Sequence, residues 1–177
     1  DVYKRQDKWI ISEAIKLHEE VQKLNDNYAY HHVIQKIHNF CVHELGGVYL
    51  DIIKDRMYVT KSNSYARRSA QFALFEVAEI LIRLISPILV FTAEEIWQSH
   101  ELFKKQSVSI FMASQKLLSE IESSISNEDW KKIFAVKDAV NQSIEKARAD
   151  SVIKGSLDSK ISISCDKKTF KALQKIE

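Results

Sequence analysis

A chain that reverses direction often needs residues that permit reversal, and this one carries only three glycines and one proline in 177 positions. A many-stranded sheet would need repeated tight turns, which draw heavily on Gly, Pro and Asn. Long helices need few. Leu, Ile, Ala, Lys and Glu, which lose little on entering a helix, recur throughout. The expected fold class is therefore mainly α. With 45% hydrophobic residues the chain can bury a core, and its length suits one domain with a small appendage.

Periodicity places the helices. Over residues 7–27, Ile10, Ala14, Leu17, Val21 and Leu24 follow the alternating steps of four and three that one helix face requires. A second run over 30–58 sets Val33, Ile37, Phe40, Cys41, Val48 and Ile52 near one face, with Gly46-Gly47 inside it. An interior glycine costs about 1 kcal/mol relative to alanine. The run is thus expected either to kink at the pair or to meet another backbone there.

Ser64 is suited to cap a third helix reaching Ile85, with Ala70, Leu74, Val77, Leu81 and Leu84 as its stripe. Pro87 stops it. Thr92-Ala-Glu-Glu95 has the form of a capping box and predicts a fourth helix starting there, carrying Ile96 and Trp97. Periodicity is weak over 102–127, which predicts a long connection with a short strand at 108–111. Asn127 is the expected cap of a fifth helix reaching Ala149. After Gly155, the alternation over 157–164 predicts a half-buried strand, and 167–176 is helical in pattern.

The expected organisation is boundary sequence over 1–6, a helical bundle over 7–101, a connection over 102–127, a further bundle helix over 128–150, and the truncated start of a small α/β subdomain over 151–177. A first residue of Asp1, and a lysine-rich end with no stop signal, suggest a piece of something longer.

No run of about 18 apolar residues and no signal pattern is present, so a soluble, cytoplasmic protein with no membrane association is expected. Cys41 and Cys165 lie far apart in unlike contexts, which favours reduced thiols.

The net charge of +2 hides an uneven distribution. Residues 54–68 carry Lys54, Arg56, Lys61, Arg67 and Arg68 against Asp55 alone, and 131–177 carry 11 basic groups against 6 acidic ones, whereas 69–130 carry 4 against 9. Tyr58 and Tyr65 sit among the cations of the first zone. Cations neutralise phosphates and rings stack unpaired bases, so these seven residues form the candidate RNA-binding site. A solvated helix-turn-helix junction is the plainer alternative. Arg56 follows Asp55 on a helix that must pack, and either residue could instead serve an ion pair between the second and third helices. Lys154 and Lys160, in the second zone, are a further candidate contact.

His31, His32, His38 and His43 crowd one helix, but a zinc site needs three or four converging ligands. His38 and His43 point about 140° apart on an ideal helix, and no metal site is expected. No phosphate-cradling glycine loop, nucleophile elbow or H-E-x-x-H pair occurs. Glu94 and Glu95 sit where a helix start would favour them. No catalytic and no cofactor-binding residue is expected.

Several stretches, taken in order, resemble bacterial-type isoleucyl-tRNA synthetases: Ile37-His-Asn-Phe-Cys41, Tyr49-Leu-Asp-Ile-Ile-Lys-Asp-Arg-Met-Tyr58, Ala66-Arg-Arg-Ser-Ala-Gln71, the run from Ser86 through Trp97, and Phe134-Ala-Val-Lys-Asp-Ala-Val-Asn141. The Tyr-Leu-Asp then Lys-Asp-Arg pattern resembles the isoleucyl branch more than the valyl or leucyl ones. The resemblance implies an anticodon-binding helical bundle placed after a nucleotide-binding catalytic domain. Its implied partners are the anticodon stem-loop of tRNA(Ile) and the catalytic domain of the same polypeptide, in a monomer.

For the parent, the resemblance implies ligation of isoleucine to tRNA with ATP and magnesium. Neither H-I-G-H nor K-M-S-K-S occurs in this chain, so the implied share of this piece is recognition without catalysis. The competing readings are the same domain from a valyl- or leucyl-type relative, a helical protein-interaction bundle, and a metal-dependent helical enzyme.

Overall fold

The computed structural model describes residues 4–113, 125–155 and 159–176. The chain divides into two compact units, Asp1–Ser123 and Ser124–Glu177.

In the first unit α1 spans Arg5–Asp26 and buries Trp9, Ile10, Ala14, Leu17 and Val21. It begins inside the stretch expected to carry no structure, because the Asp7 carboxylate accepts the backbone N–H of Lys4 at 3.3 Å and so closes the first turn. Its other end is a Schellman motif. The N–H of Tyr28 donates to the Asn25 carbonyl and that of Ala29 to the Leu24 carbonyl, both at 2.9 Å. Tyr28 takes the left-handed position of that motif, at φ 56°.

From Tyr30 the chain stays helical to Tyr58, as α2 (Tyr30–Phe40), a π-helical stretch (Cys41–Leu50) and α3 (Asp51–Tyr58). The Gly46-Gly47 pair lies in the π stretch, and the neighbour it faces belongs to its own helix. A Cβ on Gly46 would stand 2.9 Å from the Cys41 carbonyl oxygen, and one on Gly47 would stand 3.2 Å from that of Val42. In the wide turn the carbonyl five residues back closes on the Cα, and glycine leaves it room. The expected approach of another backbone is thus a carbonyl within the same helix.

Helix α4 spans Tyr65–Ile85, capped by Ser64, whose hydroxyl accepts from the Arg67 N–H at 3.3 Å. It runs parallel to α1. Their starts meet where Lys4 N donates to Ser69 Oγ at 2.8 Å. Their far halves share a cavity walled by Gln22 and Asn25 from α1 and by Arg83 and Leu84 from α4.

The capping box expected at Thr92 does not form. Helix α5 spans Val90–Ser99, so Thr92 already lies inside its first turn. The chain turns directly off α4 at Pro87, and the first α5 bond runs from Ala93 N to the Leu89 carbonyl. Glu94, on this helix, accepts from Ser109 Oγ at 2.8 Å and from Ile110 N at 3.1 Å. The bond from Gln98, followed by those from Ser109 and Ile110, lowers the Glu94 pKa.

A short helix α6 (Glu101–Lys104) and a 3-10 turn (Ile110–Met112) occupy the start of the expected connection, and the strand expected at 108–111 is absent. Ile110 enters a core with Ile82, Ala93, Trp97 and Phe103. Trp97 stacks on Phe103 at 5.1 Å and donates its indole N–H to the Ser107 carbonyl at 3.1 Å. Most of the remaining connection lies outside the described residues.

In the second unit α7 spans Asn127–Ala149, capped by Ser126, one residue earlier than expected, through a bond from Asp129 N at 3.2 Å. It also ends in a Schellman motif, with Ser151 at φ 57°. The expected strand over 157–164 falls partly outside the described residues. Its described part, from Ser159, pairs with no strand and faces α7 across a cavity of about 470 Å³. Alternation of side chains makes a sheet only where a neighbour takes up the backbone groups. Among the described residues of 151–177 the expected α/β character is therefore not seen; they hold a segment without regular structure over 159–166 and α8 (Lys167–Gln174), capped by Asp166.

Candidate nucleic-acid interface

Residues 59–64 join α3 to α4, and the seven candidate residues gather around this junction in two groups. Lys54, Tyr58, Lys61, Tyr65 and Arg68 point outward, with Tyr58 84% exposed. The Arg68 guanidinium lies 5.9 Å from the Phe72 ring centroid, a cation–π contact that orients the charge at the surface. The other two arginines turn inward.

Arg67 sends Nη1 to the Thr60 carbonyl at 3.2 Å. Thr60 Oγ1 donates to the Arg56 carbonyl at 2.6 Å and accepts from Ser64 Oγ at 3.0 Å. These bonds satisfy junction backbone groups that the helix ends leave open, and so fix how α3 meets α4.

Arg56 is engaged by Asp7, which is fully buried. The guanidinium grips the carboxylate with both nitrogens, Nη1 to Oδ2 at 3.1 Å and Nη2 to Oδ1 at 3.0 Å. Oδ1 also accepts from Tyr49 Oη at 2.7 Å, and Oδ2 from Ser69 Oγ. The ion pair anticipated for Arg56 is therefore made with α1, while Asp55 stays exposed. Burial, reinforced by the adjacent Asp7 carboxylate, pushes the Tyr49 phenol well above the usual tyrosine range.

This network draws together α1, the π stretch, α3 and α4 beneath the exposed cations. Charge counting does not find it, because an acidic residue on the buried stripe counts the same as one in water. A signal was present nonetheless. Asp7 lies three and four residues before Ile10 and Ile11, on the face that goes inward.

His31, His32, His38 and His43 are exposed, and no three potential metal ligands converge among the described residues. In the second unit Lys154 and Lys160 are exposed.

Residues 7–163 match the family described as the anticodon-binding domain of tRNA ligase. The chain is similar to isoleucine–tRNA ligases. It is 43% identical to that of Pseudomonas aeruginosa (strain LESB58) over 160 residues, covering 89% of this chain and 17% of the relative. It is 42% identical to that of Alcanivorax borkumensis over 175 residues, 96% of this chain and 18% of the relative. With that of Caldicellulosiruptor saccharolyticus it shares 43% identity over 159 residues, 89% of this chain and 17% of the relative. The chain thus spans under a fifth of the length of these relatives.

Proposed function

The chain belongs to the family of anticodon-binding domains of tRNA ligases, and on that premise we propose that it recognises the anticodon arm of tRNA(Ile) through the α3–α4 end of its first unit, within the bundle over 7–101. The family match over 7–163 is the observation that carries this reading. The exposed set Lys54, Lys61, Arg68, Tyr58 and Tyr65 supports it, since it combines phosphate-neutralising cations with rings that can stack.

The two inward arginines have a different part in this reading. Arg56 and Arg67 hold the scaffold that presents the others. Phosphate contacts set the register of the RNA, and base contacts supply the choice of sequence. Lys154 and Lys160 add outer contacts to the same arm.

For the parent protein we propose isoleucine–tRNA ligase activity in the cytoplasm. ATP and magnesium are held by a catalytic domain elsewhere on a monomeric polypeptide, and this chain contributes recognition without catalysis.

Binding of tRNA(Ile) and of a non-cognate tRNA at two salt concentrations tests the reading. The expected result is tighter binding of the isoleucine tRNA with affinity falling steeply as salt rises. Equal binding of both tRNAs, or none at low salt, would leave a protein-interaction bundle as the better description.

A further inference from the structure

The helical run over 30–58 has two inward faces, each explained by ordinary α-helical spacing. Val33, Ile37 and Phe40 are buried in α2. Tyr49 and Ile53 are buried at the end of the π stretch and in α3, and Arg56 turns inward beside them. At about 100° per residue, each set spans about 60° of arc. Both sets meet α1. Phe40 and Leu17 of α1 line one cavity, and Tyr49 and Arg56 both bond to Asp7.

The distance between the two sets is wrong for an α-helix. From Phe40 to Tyr49 is nine residues, about two and a half α-helical turns, which leaves the two side chains about 180° apart. Continued α spacing would thus turn Tyr49 and Arg56 away from α1. It would bring Asp51, Asp55 and Tyr58 round in their place, setting two carboxylates toward the buried Asp7, where like charges repel. In the folded chain all three of these residues are exposed.

The π stretch absorbs the half turn. Its i→i+5 bonding takes in more residues per turn, so the ten residues Cys41–Leu50 rotate the chain less than ten α-helical residues would. The excess is about two residues, because a spacing of seven returns to the same face within about 20° in an α-helix. Gly46 and Gly47 carry the mark of that excess. At these positions a Cβ would approach the carbonyl oxygen five residues back, at 2.9 Å and 3.2 Å.

The consequence reaches the RNA-facing side. Lys54 and Tyr58 are four residues apart on α3 and both exposed, opposite the side that grips Asp7. We infer that Gly46-Gly47 form a two-residue insert that sets the rotational phase of α3, aiming Lys54 and Tyr58 at RNA while Arg56 meets Asp7; the RNA half of this rests on the tRNA reading above. The glycines are positioning residues. They act through the count of residues in the helix and touch no ligand themselves.

The test removes the same two glycines in two ways. Gly46→Ala/Gly47→Ala keeps the count but crowds the wide turn, and should melt about 2–12 °C below the parent chain. Deleting both residues leaves Phe40 and Tyr49 seven apart, so that an unbroken α-helix restores both inward faces. The deletion chain should melt at or above the parent temperature, and a fall of more than about 4 °C would overturn the insert. Adding Arg56→Ala should lower the melting temperature of the deletion chain as much as that of the parent. An Arg56→Ala without effect in the deletion chain would show the phase lost, and would also overturn it.

RNA binding reads the aim. Lys54→Ala should lower the slope of log affinity for tRNA(Ile) against log salt by about one, equally in the parent and in the deletion chain. An effect in the parent alone would overturn the phase assignment. No effect in the parent would overturn the aim of α3 at RNA. Failure of the parent chain to bind tRNA would overturn the tRNA reading and the aim with it, while the melting contrast still decides whether the glycines set the phase.

Discussion

Arg56 of α3 and Asp7 of α1, 49 positions apart in the chain, form a forked ion pair whose carboxylate is sealed from solvent. A cation drawn from the most basic stretch of the sequence thus holds the bundle together. The pair links the start of the first helix to the last turns before the α3–α4 junction, and so sets the platform from which Lys61 and Arg68 project.

Removing one partner of a buried pair strands the other charge in a poor solvent. Arg56→Ala should therefore destabilise the chain by about 3–5 kcal/mol. Arg56→Lys should recover only part of this, because an ammonium cannot grip both carboxylate oxygens in one plane. Urea denaturation would measure both. A loss below about 1 kcal/mol for Arg56→Ala would mean the network is not structural.

The exposed cations should behave in the opposite way. Lys61→Ala/Arg68→Ala leaves the core untouched, so stability should stay within about 0.5 kcal/mol per site. The slope of log affinity for tRNA against log salt should fall by about two, one for each lost phosphate contact. Adding Arg67→Ala should cost stability as well, through the Thr60 carbonyl it serves. Titrations at several salt concentrations, with thermal melts, separate the two effects.

Tyr49 gives the bundle an alkaline limit. An unfolded tyrosine releases its proton near the ordinary value of 10.0, whereas burial and the neighbouring Asp7 keep the folded phenol protonated well beyond it. The unfolded state therefore binds fewer protons above that pH, and stability falls as pH rises. Tyr49→Phe loses the bond to Asp7 but cannot ionise. Its deficit relative to the parent chain should shrink by up to about 1.4 kcal/mol per pH unit above about pH 10. Denaturation curves at about pH 9 and about pH 11 check this; a constant gap would show that the phenol titrates freely.

Helix placement was legible because burial imposes a period on the apolar residues, and α1, α4 and α7 carry that period plainly. Three features were not. The Thr92 box has the right local letters, but the turn at Pro87 starts α5 earlier and leaves Thr92 inside it. Residues 159–164 alternate as a strand does, yet pairing depends on a neighbour that no local pattern encodes. The fate of Arg56 turns on a partner 49 residues away, and charge counts carry no such distance. Of the candidate site, position along the chain was readable, whereas the inward or outward aim of each cation required the packing.

The π stretch allows the sharpest test of backbone geometry, since it sets two opposing effects against each other at adjacent residues. Replacing glycine by alanine within a helix ordinarily stabilises by about 1 kcal/mol, through the unfolded chain and through helix propensity. At Gly46 the new Cβ would lie 2.9 Å from the Cys41 carbonyl oxygen, a backbone atom that cannot swing aside. Either the wide turn reverts to α-helical spacing, shifting Tyr49 relative to Asp7, or the strain remains. Gly46→Ala should therefore destabilise by about 1–3 kcal/mol, the range for overpacked sites. At Gly47 the contact is 3.2 Å, which an adjustment of a few tenths of an ångström relieves, so Gly47→Ala should fall within about 1 kcal/mol of neutral. Thermal melts of the two variants measure the contrast; equal effects would mean that the wide turn places no special demand on residue 46.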